Sequence, residues 1–468
     1  MRKLTLTMLF AAALAGCTTT PIAPPPLDLP KTGAYDPALE RWWTAFNDPV
    51  LTALIDEALA QNLDLAAAIT RVDQARAQYK IVQFAQYPDV NVGANAARSR
   101  QSTVGNIVLP PGTPAIANDF RVGLNASYEL DLWGKYRTAT AAAQNDLLAT
   151  QYARETVRTV VAAEVARAYF RLLASDAQLS VLNDTLRIRT ETVSLQQDRF
   201  DAGVIGEFDL ATAQAERAAV ASDVAVAVRL VSENQSALAV LLGRSPREVF
   251  EPKFDRDLRM VWLVTVPTLP PELPSDMLSR RPDIRDAELR LAAANQRIDV
   301  ARADYFPSIS LTGAFGSESG VLKSLFSGPA MIWSIGAGLI QPLVGLALVT
   351  DNVELKTAQR DETVVFYRQT VQAAFRDAHD ALTANQTTRD ALAAQTERKD
   401  FLQKSLELAD LRYRAGYSAY IEVLDVQRQL LQAQSLQIVA ARNVRLAVVD
   451  VAKALGGGWD YKTAVAGP

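Results

Sequence analysis

The chain carries one pattern twice. Tyr87-Pro88-Asp89-Val90-Asn91-Val92 returns as Phe306-Pro307-Ser308-Ile309-Ser310-Leu311, at an offset of 219 that also carries Asp64 onto Asp283 and Arg71 onto Arg290. Further on, Arg199-Phe200-Asp201-Ala202-Gly203 returns as Arg412-Tyr413-Arg414-Ala415-Gly416, at an offset of 213. The six-residue difference falls between these blocks. Each half reads as helix, strands, long helix, tip and returning helix. We place the first repeat at 41–261 and the second at 262–458, with a tail over 459–468. A unit repeated in sequence is a unit repeated in space, and repetition about an axis is how proteins make tubes.

Four segments alternate with period two. Phe120, Val122, Leu124, Ala126, Tyr128 and Leu130 interleave with Arg121, Gly123, Asn125, Ser127, Glu129 and Asp131. Met331, Trp333, Ile335, Ala337 and Leu339 interleave with Ile332, Ser334, Gly336, Gly338 and Ile340. Val90 to Ala96 and Ile309 to Phe315 give two more strands, so strands are expected at about 88–102, 117–132, 307–317 and 331–343. The uncharged run 330–349 is long enough for a membrane helix. Gly336, Gly338, Pro342 and Gly345 interrupt it, and it alternates, which favours a strand. One polar or small face and one apolar face is what a membrane-barrel strand needs. A soluble antiparallel sheet with one wet face has the same pattern. Four strands do not close a barrel, for which about eight is the practical minimum. Strands that span a membrane must pair at both edges, so a membrane reading requires several copies of the chain.

Between strands and tips the chain is helical. No proline occurs from about Gly134 to Phe200. Val161, Val165, Ala168, Leu172, Ser175, Leu179, Leu182, Leu186, Arg189 and Val193 follow a heptad with lapses at Ser175 and Arg189. Such a helix is on the order of 100 Å long. A second proline-free tract covers 350–413, giving long hairpins over about 134–242 and 350–455. These serve equally as a coiled-coil scaffold or as the wall of a tube.

The N-terminus has Arg2 and Lys3, an apolar run to Ala15, and then Leu14-Ala15-Gly16-Cys17. This reads as a secretory signal over 1–16. The flanking residues resemble the bacterial lipobox, after which Cys17, the sole cysteine, becomes the acylated first residue. Several acyl chains make a stable anchor. Residues 17–40, with the proline-rich 21–30, read as a tether between lipid and folded body. In the lipoproteins so resembled, Thr18 implies sorting to the outer membrane.

Longer blocks make the resemblance specific. They are Trp42-Trp43, Phe46, Asp48-Pro49 and Asn62-Leu63-Asp64-Leu65; Arg280-Arg281-Pro282-Asp283-Ile284 and Tyr305-Phe306-Pro307; Tyr128 to Gly134; and the two Arg-aromatic-x-Ala-Gly tips. The chain resembles the outer-membrane efflux (TolC-like) family, in its lipoprotein branch with NodT and OprM. The resemblance implies a mainly α fold with β, in which a trimeric outer-membrane β-barrel of four strands per chain continues into a periplasmic α-helical barrel. It implies a homotrimer acting as a passive exit duct in the outer membrane of a Gram-negative bacterium. A periplasmic adaptor (membrane fusion protein) would join it to an inner-membrane efflux pump, with small amphipathic compounds such as drugs as cargo. Protein export, heavy-metal export and a non-conducting envelope scaffold remain alternatives.

The resemblance also assigns sites. Ala202-Gly203-Val204 and Ala415-Gly416-Tyr417 would be the adaptor-binding tips. Glu422 and Asp425, with Asp209 as the first-repeat match of Glu422, would line a periplasmic gate, and Tyr413 would help hold it closed. Alone, two acids three apart are the ordinary pattern of a solvated helix face. Three copies around an axis would repel one another and attract cations. Two departures stand out: Ser418 falls where some relatives have a gate arginine, and Gln341-Pro342-Leu343-Val344-Gly345-Leu346 differs from the usual strand-to-helix corner.

No enzymatic motif supports catalysis. His379, the only histidine, reads as an interhelical packing residue, with pH sensing a second reading. One histidine, one cysteine and five methionines suggest no metal site, and no cofactor is expected beyond covalent lipid on Cys17. The net charge of −4 gives no reason to expect nucleic acid.

Overall fold

A computed structural model describes residues 40–102, 114–254, 266–267 and 280–459. Cys17, the signal segment, residues 17–39 and the tail beyond Trp459 lie outside the described residues. After a 3-10 turn at Trp42–Phe46 come α1 (Pro49–Gln61), α2 (Leu63–Phe84), β1 (Asp89–Arg100) and β2 (Ile116–Glu129). Next are α3 (Lys135–Asp201), α4 (Glu207–Leu241) and the short α5 (Pro246–Phe250). The second half follows with α6 (Pro282–Ala303), β3 (Ser308–Ser319), β4 (Met331–Ile340), α7 (Leu346–Arg414) and α8 (Tyr420–Ala454). The strands fall within a few residues of expectation, and the second long hairpin starts four residues earlier than 350. The offset difference is explained here. Asp89–Glu129 spans 41 residues and Ser308–Ile340 only 33, whereas α3 has 67 residues and α7 has 69.

The described residues form two compact units, and each draws on both repeats: one within 73–149 and 287–366, the other within 40–72, 150–286 and 367–459. The first holds an antiparallel meander, β1-β2-β3-β4. Its register aligns Val92, Leu124, Phe315 and Trp333 across all four strands, and Val90, Ala126, Gly313 and Ile335 beside them. The apolar residues therefore form one continuous face, and Asn91, Asn95, Arg121, Asn125, Thr312 and Glu318 lie on the other. No part of the described chain covers the apolar face: Val92, Trp333 and Ile335 are 74%, 69% and 83% exposed. A soluble sheet would bury that face. Gly93, Gly123 and Gly316 form a row across three strands. A Cβ on Gly316 would overlap the Val122 carbonyl oxygen, and one on Gly123 would sit 2.9 Å from that of Phe315, so the strands approach here only as glycines.

At the helix end of this unit, Trp133 stacks on Phe306 with centroids 4.7 Å apart, and its Nε1 donates to the Pro307 carbonyl at 2.7 Å. Tyr136 donates to Glu129 at 2.8 Å, and burial pushes its pKa up to about 12. The unusual corner is an exposed turn. Gln341 donates to the Tyr305 carbonyl at 3.3 Å, and Leu343 and Val344 face outward.

The second unit shows the repeat at atomic detail. Asp48 caps α1 by accepting from Val50 and Leu51 at 2.9 and 3.0 Å, and its other oxygen accepts from Tyr169 at 2.8 Å. Burial pushes the Tyr169 pKa up. Asn62 donates to the carbonyl of Leu241, the end of α4, at 2.8 Å. In the second repeat Arg281 donates to the carbonyl of Ala454, the end of α8, at 3.3 Å. Both helix ends turn through a positive-φ glycine, Gly243 at 71° and Gly456 at 78°. Different side chains thus dock the two returning helices in equivalent ways. Trp43, Phe46, Tyr169 and Phe170 fill the core beside the first of these joints.

The heptad on α3 is a buried stripe: Val161, Val165, Ala168, Leu172 and Leu182 are all below a tenth exposed. Its lapses are partnered. Ser175 accepts from Asn234 of α4 at 2.6 Å, and Arg189 is described below. By length and composition α4 would pass as a membrane helix. Its buried residues, Leu210, Ala213, Val220, Ala227, Val231 and Leu238, instead recur on one packing face. His379 corrects an expectation. It is 76% exposed, 3.4 Å from Asp380, because the buried stripe of α7 runs through Val371, Ala374, Ala378 and Ala381 and bypasses it.

Candidate functional site at the hairpin tips

Both long helices end in the same hydrogen-bonded turn. After α3, Val204 N–H donates to the Arg199 carbonyl and Gly203 N–H to that of Phe200, each at 2.8 Å. After α7, Tyr417 donates to Arg412 at 2.9 Å and Gly416 to Tyr413 at 3.0 Å. This is the Schellman arrangement, which needs a left-handed residue at the glycine. Gly203 has φ 71° and Gly416 φ 78°. A Cβ on either would meet nothing within 4 Å, so conformation and not space selects glycine. The turns present apolar groups outward: Val204 and Tyr417 are 65% and 81% exposed, with Phe208 and Ile421 also exposed.

Behind the tips the two hairpins lock together. Arg199 of α3 donates to the Tyr413 hydroxyl of α7 at 2.5 Å, with its guanidinium 5.5 Å from that ring. Tyr413 packs on Tyr420 at 5.6 Å, and Tyr420, Leu424 and Ala213 form a buried cluster with Val193 beside it. The Tyr420 hydroxyl is buried without a hydrogen bond, and burial raises its pKa.

One turn deeper lies a charged network. Arg189, 3% exposed, donates to Gln427 of α8 and approaches Glu216 of α4 to 3.8 Å. Arg428 of α8 also donates to Glu216, from Nε at 3.0 Å. The Arg428 hydrogen bond, with support from the Arg189 charge, holds the Glu216 carboxyl below the usual carboxylate range despite partial burial. A guanidinium inside an apolar heptad is thus partnered by two other helices, α4 through a carboxylate and α8 through an amide oxygen. The sequence reading flagged Arg189 as a lapse but gave no partner. Glu216, Gln427 and Arg428 were missed, since ion pairs between helices leave no periodic signal.

The predicted acids lie elsewhere on α8. Glu422 and Asp425 are both exposed, near one face of the helix. Glu422 makes a long ion pair with Arg412 at 4.0 Å, and Asp425 accepts from Gln429 at 2.7 Å. Asp209 is half-buried in the first turn of α4, and no hydrogen bond or ion pair joins it to either acid among the described residues. Ser418 is half-buried, with its hydroxyl unpartnered, between Tyr417 and the start of α8. Among the described residues no three His, Cys, Asp or Glu side chains gather as a metal site.

The chain thus has two long hairpins locked behind equivalent tips and a four-stranded sheet whose apolar face no described residue covers. The sequence model described as outer membrane efflux protein matches residues 54–244 and 273–457, the bodies of the two repeats. The chain belongs to the outer membrane efflux protein family. Relatives match along nearly their whole length. The toluene efflux pump outer membrane protein TtgC of Pseudomonas putida is 33% identical over 469 residues, covering 97% of this chain and 95% of its own. The cation efflux system protein CusC of Escherichia coli is 32% identical over 463 residues, with 96% and 97% covered. Among solved structures, the CmeC outer membrane channel of Campylobacter jejuni superimposes with a TM-score of 0.86 at 28% identity, covering 93% of this chain and 95% of that one.

Proposed function

We propose that the protein is one subunit of a homotrimeric duct in the outer membrane of a Gram-negative bacterium. It serves a tripartite efflux system as the passive exit for small amphipathic compounds. The observation that carries this reading is the sheet. Among the described residues nothing covers its apolar face, and no strand pairs with the outer edges of β1 and β4. In hydrocarbon both features require more strands from further copies, and three copies supply twelve. The similarity to TtgC, a toluene efflux pump outer membrane protein, supports a small apolar cargo. We further propose that the tips at Ala202-Gly203-Val204 and Ala415-Gly416-Tyr417 receive the periplasmic adaptor, which connects to the inner-membrane pump. The exposed Val204 and Tyr417 give that contact its apolar anchors. Glu422, Asp425 and Asp209 would line the gate, and Tyr413, held by Arg199, would brace it. Cys17 would carry the lipid anchor. This is tested by labelled palmitate, which should enter the wild type and not Cys17→Ser.

The duct reading is tested in the native host. Deleting the gene should raise accumulation of an amphipathic fluorescent dye, and the wild-type gene should restore export. A Val204→Asp/Tyr417→Asp variant should reach the membrane at normal level and fail to restore it. The purified particle should have three times the chain mass. A monomer, or unchanged dye accumulation, contradicts the proposal.

A further inference from the structure

The lipid-facing side of β1 does not end on an apolar residue. Val90, Val92, Ala94 and Ala96 share one face, and Arg98 and Arg100 continue the same alternation, both exposed. The register sets Ala96 opposite Phe120, Arg98 opposite Asn118 and Arg100 opposite Ile116. Depth follows from strand geometry. The apolar rows run from Ile309 and Leu339, level with Leu130, up to Ala96 and Phe120. The ten steps from Leu130 to Phe120, at about 3.4 Å each and tilted by roughly 40°, rise about 25 Å, the height of a barrel's apolar band. Arg98 and Arg100 then stand about 5 and 10 Å above it, at headgroup depth. This end is the β1–β2 hairpin, opposite the end that joins the helices.

Charge accounting separates the two ends. At the helix end the cations are paired: Lys135 with Asp304 at 2.7 Å, Arg137 with Asp131 at 3.4 Å. At the hairpin end the nearby acids, Asp119 and Glu318, lie on the opposite face, where Arg121 binds Glu318. Arg98, Arg100 and Lys323 of the β3–β4 connection make no ion pair among the described residues. Two arginines on one face, their Cα atoms about 7 Å apart along the strand, at headgroup depth and without carboxylates, lack only an anion. Guanidinium binds phosphate through paired hydrogen bonds. We propose that Arg98 and Arg100 bind the phosphates of the phosphorylated glycolipid in the outer leaflet. Each copy thereby carries a lipid site on β1. The inference rests on the outer-membrane reading above.

The test uses the purified trimer and native mass spectrometry with three probes: a bis-phosphorylated lipid A, its dephosphorylated form, and phosphatidylglycerol. The wild type should retain the first at least fivefold better than Arg98→Gln/Arg100→Gln, and better than it retains either other lipid. Arg98→Lys/Arg100→Lys, which keeps the charge but loses the fork, should fall between. Equal retention by wild type and the glutamine variant overturns the proposal, as does equal retention of the dephosphorylated lipid. Retention of phosphatidylglycerol to the same degree overturns the choice of glycolipid. Bilayer insertion of the same wild-type sample separates the two readings. A trimer that conducts without retaining lipid sinks this inference alone, whereas one that never inserts sinks the outer-membrane reading and this one with it.

Discussion

Replacing Glu216 with glutamine removes the carboxylate that serves two arginines from two other helices. The losses differ in size. Arg428 is half exposed, so its share is worth less than about 1 kcal/mol. Arg189 is 3% exposed and keeps Gln427, with the Tyr420 hydroxyl beside it, so losing its charge partner 3.8 Å away costs roughly 1–3 kcal/mol, the range for a buried polar group left short of a partner. It stays below the roughly 3–5 kcal/mol of a fully orphaned buried ion. The sum is about 2 kcal/mol per subunit, or on the order of 30-fold in a local opening equilibrium. Native-state hydrogen exchange reads this directly. Amides of α3, α4 and α8 around 186–193, 213–220 and 424–430 should exchange about 30-fold faster, while those near Asn62 and Leu241 should not change. Adding Arg189→Leu to Glu216→Gln should restore most of the protection, since leucine completes the heptad and no charge is left buried. The pH dependence has a definite sign. The folded pKa of Glu216 is lowered, so its contribution is complete above the ordinary carboxylate value of about 4.3. It is lost as pH falls through the lowered folded value. The gap between wild type and Glu216→Gln should be constant from pH 7 to 5 and should close in stronger acid. A change below threefold in these three segments, or no recovery in the double variant, would refute the reasoning.

Gly203→Ala and Gly416→Ala should each cost about 1–2 kcal/mol through φ alone. Limited proteolysis should then cut at the tips while the rest of the chain stays resistant. Gly316→Ala forces a Cβ against the Val122 carbonyl, and about 1–3 kcal/mol of overpacking should lower the temperature at which the folded species dissociates on a gel. Tyr413→Phe deletes the hydroxyl bonded to Arg199 and keeps the ring packing, so it should weaken the tip lock by about 1 kcal/mol in the same exchange experiment.

The repeat was legible because its landmarks are conformational: Pro88 and Pro307 before the strands, Gly203 and Gly416 at the tips. The strands were legible because alternation carries through to a sheet with two distinct faces, and the register then aligned the apolar residues of all four. Side-chain equivalence was not legible. Asn62 and Arg281 align at the 219-residue offset, but their side chains share no chemistry, so the alignment alone does not say that both dock a returning helix. His379 was misplaced for a related reason: in a 69-residue helix, neighbours of a buried stripe are exposed, and the stripe's phase is set by the partner helices. The Arg189 network was half legible, since a charged residue in a heptad demands a partner, and only the fold says which one. The acids proposed for the gate sit exposed near the tips, a placement that a solvated face and a pore-lining face share within one copy of the chain.

Single-channel recording in a planar bilayer separates a pore-lining face from a solvated one most directly. Wild-type trimer should give small, stepwise, cation-preferring currents, and Glu422→Ala/Asp425→Ala should raise the conductance and weaken the cation preference. Wild-type currents that the double substitution leaves unchanged would remove the gate from these residues. Folded, lipidated trimer that stays silent in both forms, even with its adaptor added, would contradict the duct itself.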